Sequence, residues 1–247
     1  MKATSDLVLA MRPDAVLTLG DNQYDDATLE KFMVSYHPTW GRFKAITYPA
    51  TGTHEYESGS AAGYFAYFGA AAGDPARGYY SFDLGAWHIV VLNTSCSRVG
   101  GCESGSPQER WLRADLAANS SPCTLAVLHE PRFSSGKHGS VTQVTDLWQV
   151  LYDAGAEIVL SGNDHLYERF APQTPNGDAD PEGVRQFVVG TGGEELYNFG
   201  TVQPGSEARI ANVFGVIKLN LHPESYDWAF VPEAGQTGSD RGTGICH

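Results

Sequence analysis

Apolar and polar positions along this chain alternate in blocks that predict a mixed α/β protein. AVLTLGD (15–21) is a short apolar run that breaks into a turn, the pattern of a buried strand. ITYPATGTHEYE (46–57), CTLAVLHEP (123–131), EIVLSGNDH (157–165) and RQFVVGTGG (185–193) repeat that pattern. Between them, residues 3–11, 28–36, 106–118 and 141–155 carry helical spacing. The first of these helices ends before Pro13, and the third opens with Ser106 as N-cap and Pro107 at the first helical position. YYSFDLGAWHIVVLN (79–93) reads as a hairpin turning at Gly85, and NVFGVIKLNLH with SYDWAFVPE as a final antiparallel pair. No internal repeat or low-complexity linker interrupts the 247 residues, which predicts a single domain over 1–247.

Composition narrows the class. With 42% hydrophobic and 18% charged residues the chain has a soluble globular balance, and no apolar run reaches the length of a membrane span. A net charge of −13 argues against a nucleic-acid binder that works by neutralising phosphates. The opening MKATSDLVLAMRP lacks the basic, apolar and small-residue blocks of a signal peptide. Cys96 and Cys102 flank the flexible loop SRVGG, which predicts a bridge if the protein is extracytoplasmic, and Cys123 with Cys246 offers a second. Tyr56, Tyr64, Phe65, Tyr67 and Phe68 read as core and rim. Asn93-Thr94-Ser95 and Asn119-Ser120-Ser121 fit the glycosylation sequon, a pattern short enough to arise by chance. There is no G-x-S-x-G, P-loop or G-x-G-x-x-G, so a serine nucleophile elbow and the common nucleotide cradles have no support.

Candidate chemistry lies where the apolar runs stop. GDNQY (20–24), GTHE (52–55), VLHEP (127–131) and GNDHLYER (162–169) each put Asp, His or Tyr just after an apolar run. Sites in open α/β sheets collect outside the carboxyl ends of strands, and carboxylate, imidazole and phenolate are ligands for iron, zinc and manganese. One histidine after a strand is ordinarily structural; four such motifs in series point to a shared site.

That series resembles the calcineurin-like metallophosphoesterases, and within them the purple acid phosphatases. The G-D-x-x-Y element and Tyr167-Glu168-Arg169 after GNDH favour that branch, and the resemblance runs from about residue 3 to the C-terminus. It implies a two-sheet β-sandwich flanked by helices and hydrolysis of phosphate esters by a metal-bound hydroxide. Asp21 would bridge two ions, Tyr24 and His165 would hold the first, and His129 the second. His54 would assist the leaving group and His138 would contact substrate. Iron, zinc or manganese would be the cofactor, a phosphorylated small molecule the substrate, and a secreted or extracytoplasmic setting the location.

Three positions depart from the pattern. The first strand, with its Asp ligand, is missing; Thr53 stands where the family has a metal-binding Asn; Asn163 stands where it has the first His of G-H-x-H. Asp21, Tyr24, His129 and His165 remain, so reduced metal occupancy is expected. Two-metal hydrolysis needs both ions about 3.5–4 Å apart. Rival readings are a repurposed enzyme with one metal or none, and a non-catalytic binding protein. Loss of a central strand would leave neighbours unpaired, so the sheet must close up, admit solvent or accept a strand, and strand donation would make a homo-oligomer.

Overall fold

A computed structural model describes residues 1–247. In chain order the strands are β1 (Val16–Leu19), β2 (Thr47–Ala50), β3 (Tyr80–Leu84), β4 (Trp87–Val91), β5 (Cys123–Leu128), β6 (Ile158–Ser161), β7 (Tyr167–Phe170), β8 (Arg185–Val189), β9 (Ser206–Ile210), β10 (Gly215–Leu221), β11 (Ser225–Pro232) and β12 (Arg241–Ile245). The α-helices are α1 (Lys2–Met11), α2 (Leu29–Lys31), α3 (Ala62–Phe68), α4 (Pro107–Ala118) and α5 (Thr145–Asp153).

The period-two rule builds the layers. Seven strands join in the order β3-β4-β5-β6-β8-β7-β9, with β4, β5, β6 and β8 parallel and the flanking strands antiparallel. In β5, Ala126 and Leu128 face α4 and α5, where they meet Leu112, Leu147, Trp148 and Leu151. Leu125 and Val127 face the other way, against Leu17 and Leu19 of β1 and Tyr226, Trp228 and Phe230 of β11. Each buried leucine or valine among them contributes roughly 1.5–3 kcal/mol by leaving water. Buried on both sides, the parallel strands read as unbroken apolar runs. The result is the expected sandwich flanked by helices.

The second layer is in two pieces. β1 pairs with β2 alone, in parallel, and β10-β11-β12 form a separate antiparallel sheet. The layer does not close up between them; a groove remains.

Several expectations need correction. The 28–36 helix is one α turn that widens into a π-helical turn over Phe32–Tyr36, and the 141–155 helix starts with a 3₁₀ turn at Thr142–Val144. The final pair has a third strand, β12, and the strands β7 and β9 lie in stretches not read as strands. Asn93 is fully buried and its Nδ2 donates to Tyr56 Oη, so its sequon offers no accessible acceptor. Both bridges, Cys96–Cys102 and Cys123–Cys246, are present. Four of the five aromatics are buried in a cluster with Phe32 and Tyr36, and Phe65 packs against it.

Candidate functional site

Gly20 and Asp21 end β1 with φ of 87° and 47°. A left-handed aspartate is uncommon and must be held from outside. Glu55, fully buried, does so: Oε2 accepts from Asp21 N at 3.0 Å and Gly52 N at 2.6 Å, and Oε1 accepts from Asn22 N at 2.7 Å. One carboxylate thus ties the GDN loop to the GTHE loop. Side chains at Gly20 and Gly52 would collide with His129 and Asp21 respectively, so glycine is required for this approach.

The Asp21 carboxylate then receives two groups. Its Oδ1 accepts from His54 N at 2.8 Å, and its Oδ2 lies 3.2 Å from His129 Nε2. His129, at the end of β5, donates Nδ1–H to the Leu19 carbonyl at 2.8 Å. Its Nε2 lies off any hydrogen-bond direction and is a buried nitrogen without a hydrogen-bond partner. His165 follows β6 and repeats the device, with Nδ1–H donated to the Glu195 carbonyl at 2.6 Å and Nε2 3.3 Å from Tyr24 Oη. His54 stacks against Tyr24 with ring centres 4.4 Å apart. His138 is presented by a second buried carboxylate, Asp164, which accepts from His138 N at 2.8 Å, Gly139 N at 3.2 Å and Ser134 Oγ. A third, Glu168, accepts from Ser135 N and the hydroxyls of Ser135 and Ser206.

Asp21, Tyr24, His54, His138 and His165 bound one hollow of about 250 Å³, together with Thr53 and Asn163. His129 is not on its wall and reaches Asp21 from behind, only 1% exposed. Sequence reasoning missed Glu194, Glu195 and Tyr197, which close the hollow from the segment after β8. Tyr197 lies flat on His165, with ring centres 4.3 Å apart. No spacing signal marks that segment beyond GTGG before it. The clamps Glu55, Asp164 and Glu168 were visible only as neighbours of the motif residues.

The electrostatics follow from burial and pairing. Burial alone would raise the Asp21 carboxyl, but the His129 imidazolium and the His54 N–H outweigh it and hold it well below the usual range. His129 is raised in turn, Asp21 overcoming its burial. Burial, then the Asp21 charge, pushes the Tyr24 phenol up. Burial lowers His165, so its imidazole stays neutral with an Nε2 lone pair facing Tyr24.

These residues meet a metal's requirements in orientation and fall short in number. Both histidines have Nδ1 fixed by a backbone carbonyl, the arrangement that turns Nε2 toward an ion, and the His129 Nε2, set against Asp21 at 3.2 Å, would serve an ion once it gave up its proton. Yet no group of three or more His, Cys, Asp or Glu side chains is arranged to hold an ion. Asn163, left-handed at φ 62°, and Thr53 line the same hollow and offer it only an amide and a hydroxyl.

No protein-family model matches the chain. Purple acid phosphatase 21 of Arabidopsis thaliana is 36% identical over 121 residues, covering 47% of this chain and 26% of that protein. Acid phosphatase type 7 of Homo sapiens is 28% identical over 245 residues, covering 84% of this chain and 55% of its own length. The solved structure of a purple acid phosphatase from yellow lupin seeds superposes with a TM-score of 0.78 at 20% identity, over 98% of this chain and 48% of that one. The chain is thus a relative of the purple acid phosphatases in sequence and shares their fold, while matching only a quarter to about half the length of these curated relatives.

Proposed function

We propose that this chain hydrolyses phosphate esters of small molecules in the hollow between Asp21, Tyr24, His54, His138 and His165. The observation that carries the reading is the pair of histidines whose Nδ1 atoms are fixed by backbone carbonyls, one with Nε2 against Asp21 and the other with Nε2 against Tyr24. Relatedness to phosphatases supports it.

Asp21, Tyr24 and His165 would hold one ion, and Asp21 with His129 a second, more weakly. Iron, zinc or manganese suits this mixture of carboxylate, phenolate and imidazole. A bound ion would neutralise phosphoryl oxygens and make a water more acidic. The rest falls to the chain's own groups. Glu55 holds the Asp21 backbone and the His54 backbone N–H holds the Asp21 carboxylate in one orientation, so it need not reorganise when charge develops. His54 donates Nδ1–H to the Asp25 carbonyl, which fixes the ring and leaves Nε2 for the leaving alkoxide, to which the ring gives a proton as the imidazolium. His138, held by Asp164 through its own N–H, is positioned for a non-bridging phosphate oxygen. Two disulfides suit an oxidising compartment, in keeping with secretion.

The short donor set favours one rival, a metal-poor binding protein on the same scaffold. Elemental analysis with an aryl-phosphate assay separates the two. Hydrolysis that rises with bound metal and falls in His165→Ala supports the proposal; tight phosphate binding without turnover at any metal loading supports the rival.

A further inference from the structure

The hollow carries carboxylates on its walls and no lysine or arginine. Asp21, Asp25, Glu194 and Glu195 line it, with imidazoles as its only ionisable nitrogen groups. A phosphate ester is an anion, and the whole chain has a net charge of −13. Ions held through the recessed Asp21 would leave the exposed Asp25, Glu194 and Glu195 to repel it, so its approach calls for a protein cation beside the hollow.

Lys137 is placed to be that cation. It is exposed and directly precedes His138, on a loop whose backbone is pinned. Ser135 N donates to Glu168 Oε2 at 2.8 Å, Gly136 N to Ser134 Oγ at 3.0 Å, and His138 N and Gly139 N to Asp164. A Cβ at Gly136 would lie 2.3 Å from the Asp164 carboxyl carbon, so the loop rests directly on that group. The Tyr197 segment is tied to the same loop. The Ser135 carbonyl accepts from Gly200 N at 2.7 Å and its Oγ from Gln203 N at 2.9 Å, while Tyr197 N donates to the His165 carbonyl at 2.9 Å. With both backbones fixed, the flexible lysine stem is what can swing.

In the free protein the Lys137 ammonium lies 4.7 Å from the Tyr197 ring centre and forms no ion pair. His165 covers one face of that ring at 4.3 Å, so the ammonium occupies the other. The two distances meet at the ring centre, which puts the ammonium within about 9 Å of the His165 ring centre. A cation–π contact at an exposed site is weaker than a charge-assisted hydrogen bond to a phosphate oxygen, so an ester in the hollow draws the ammonium off the ring.

We propose that Lys137 is a phosphate-binding residue of the hollow: its ammonium leaves the face of Tyr197 and donates to a non-bridging phosphate oxygen beside His138. This rests on the hollow being the phosphate site and adds to it a residue that serves binding rather than the chemical step.

The test measures inorganic phosphate binding by titration calorimetry on the full chain with zinc present, and 4-nitrophenyl phosphate turnover alongside, for wild type, Lys137→Gln and Lys137→Arg. Circular dichroism checks that the exposed substitutions leave the fold unchanged. Lys137→Gln should raise the phosphate Kd about tenfold or more, the loss of one charge-assisted hydrogen bond, and Lys137→Arg should restore most of it. KM should rise with that Kd while kcat stays within about twofold, because the ammonium meets ground state and transition state alike. Added salt should narrow the gap between wild type and Lys137→Gln. Phosphate binding that depends on Lys137, without turnover, upholds the inference and defeats the hydrolytic reading. Turnover with equal Kd and KM in wild type and Lys137→Gln overturns the inference and leaves that reading standing. A wild-type chain that binds no phosphate also overturns the inference.

Discussion

Glu55→Gln is the substitution that most directly probes how the site is held. The buried Glu55 carboxylate accepts three backbone N–H bonds, from Gly52, Asp21 and Asn22. Glutamine keeps the volume but turns one acceptor oxygen into a donor. In its cheaper orientation the amide leaves one N–H, that of Asn22, facing another donor; in the other it leaves two. An unsatisfied buried donor costs about 1–3 kcal/mol, so Glu55→Gln should destabilise by about 2 kcal/mol. Glu55→Ala orphans all three and opens a cavity, so its cost should exceed about 4 kcal/mol, a large share of the roughly 5–15 kcal/mol of a typical domain. Urea unfolding followed by fluorescence of the five tryptophans measures both. The order wild type, Gln, Ala in falling stability is the expected outcome. Two variants that lie together within about 1 kcal/mol of wild type would refute the idea that this carboxylate ties the GDN and GTHE loops.

Three further outcomes are expected. Burial tends to lower the His88 imidazolium, but hydrogen bonds and charges from Asp115 and Asp83 outweigh it and raise it; Asn119 also contacts the ring. A raised folded value gives stability that is full below the unfolded value of about 6.5 and lost as pH climbs through the folded one, so the urea-midpoint advantage of wild type over His88→Gln should shrink from about pH 6 to about pH 9. In the loop-entropy picture, removing Cys123–Cys246, with a separation of 123, should cost up to about 5 kcal/mol against about 2 kcal/mol for Cys96–Cys102, with a separation of 6; calorimetry of the two double-alanine variants checks the order. Thr53→Asn combined with Asn163→His should raise both bound metal, by elemental analysis, and aryl-phosphate turnover; Asn163→His alone should do less, and no gain in either readout would mean that the missing donors are not what limits the site.

Which elements were legible in the sequence follows from burial. β4, β5 and β6 are covered on both faces and read as apolar runs; α4 announced itself through Ser106, whose side chain accepts from Glu109 N, and Pro107. β9 is an edge strand whose SEARI sequence alternates charged Glu207 and Arg209 with uncharged Ser206, Ala208 and Ile210, which no hydrophobic run marks. β12, RGTGI, reads as a turn because of its glycines. In the sheet, Gly242 stands opposite Trp228 and Gly244 opposite Tyr226, and each aromatic ring lies where a glycine Cβ would be. The rings cover what the glycines leave bare, a cross-strand dependence that local pattern cannot carry. Of the site, Asp21, Tyr24, His54, His129 and His165 were visible because each follows an apolar run, whereas His138, in SGKHG, was marked only by the family resemblance. Tyr197 and Glu194 were not, since they come from a segment without periodicity and gain meaning only by folding back over His165.

The same contrast separates the frame of the site from its donors. The frame consists of glycines at close approaches, buried carboxylates on backbone N–H groups, and carbonyls that fix two histidine tautomers. None of these contacts involves the side chain of Thr53 or Asn163. Thr53 has ordinary right-handed backbone angles, φ −71° and ψ −38°. Asn163 sits at φ 62°, where asparagine and histidine are among the better-tolerated residues after glycine. Exchanging either side chain therefore alters which atoms face the hollow without asking the loops to move. A chain can keep the shape of this site while weakening its hold on a metal, and shape and metal affinity must be measured separately to know what the protein does.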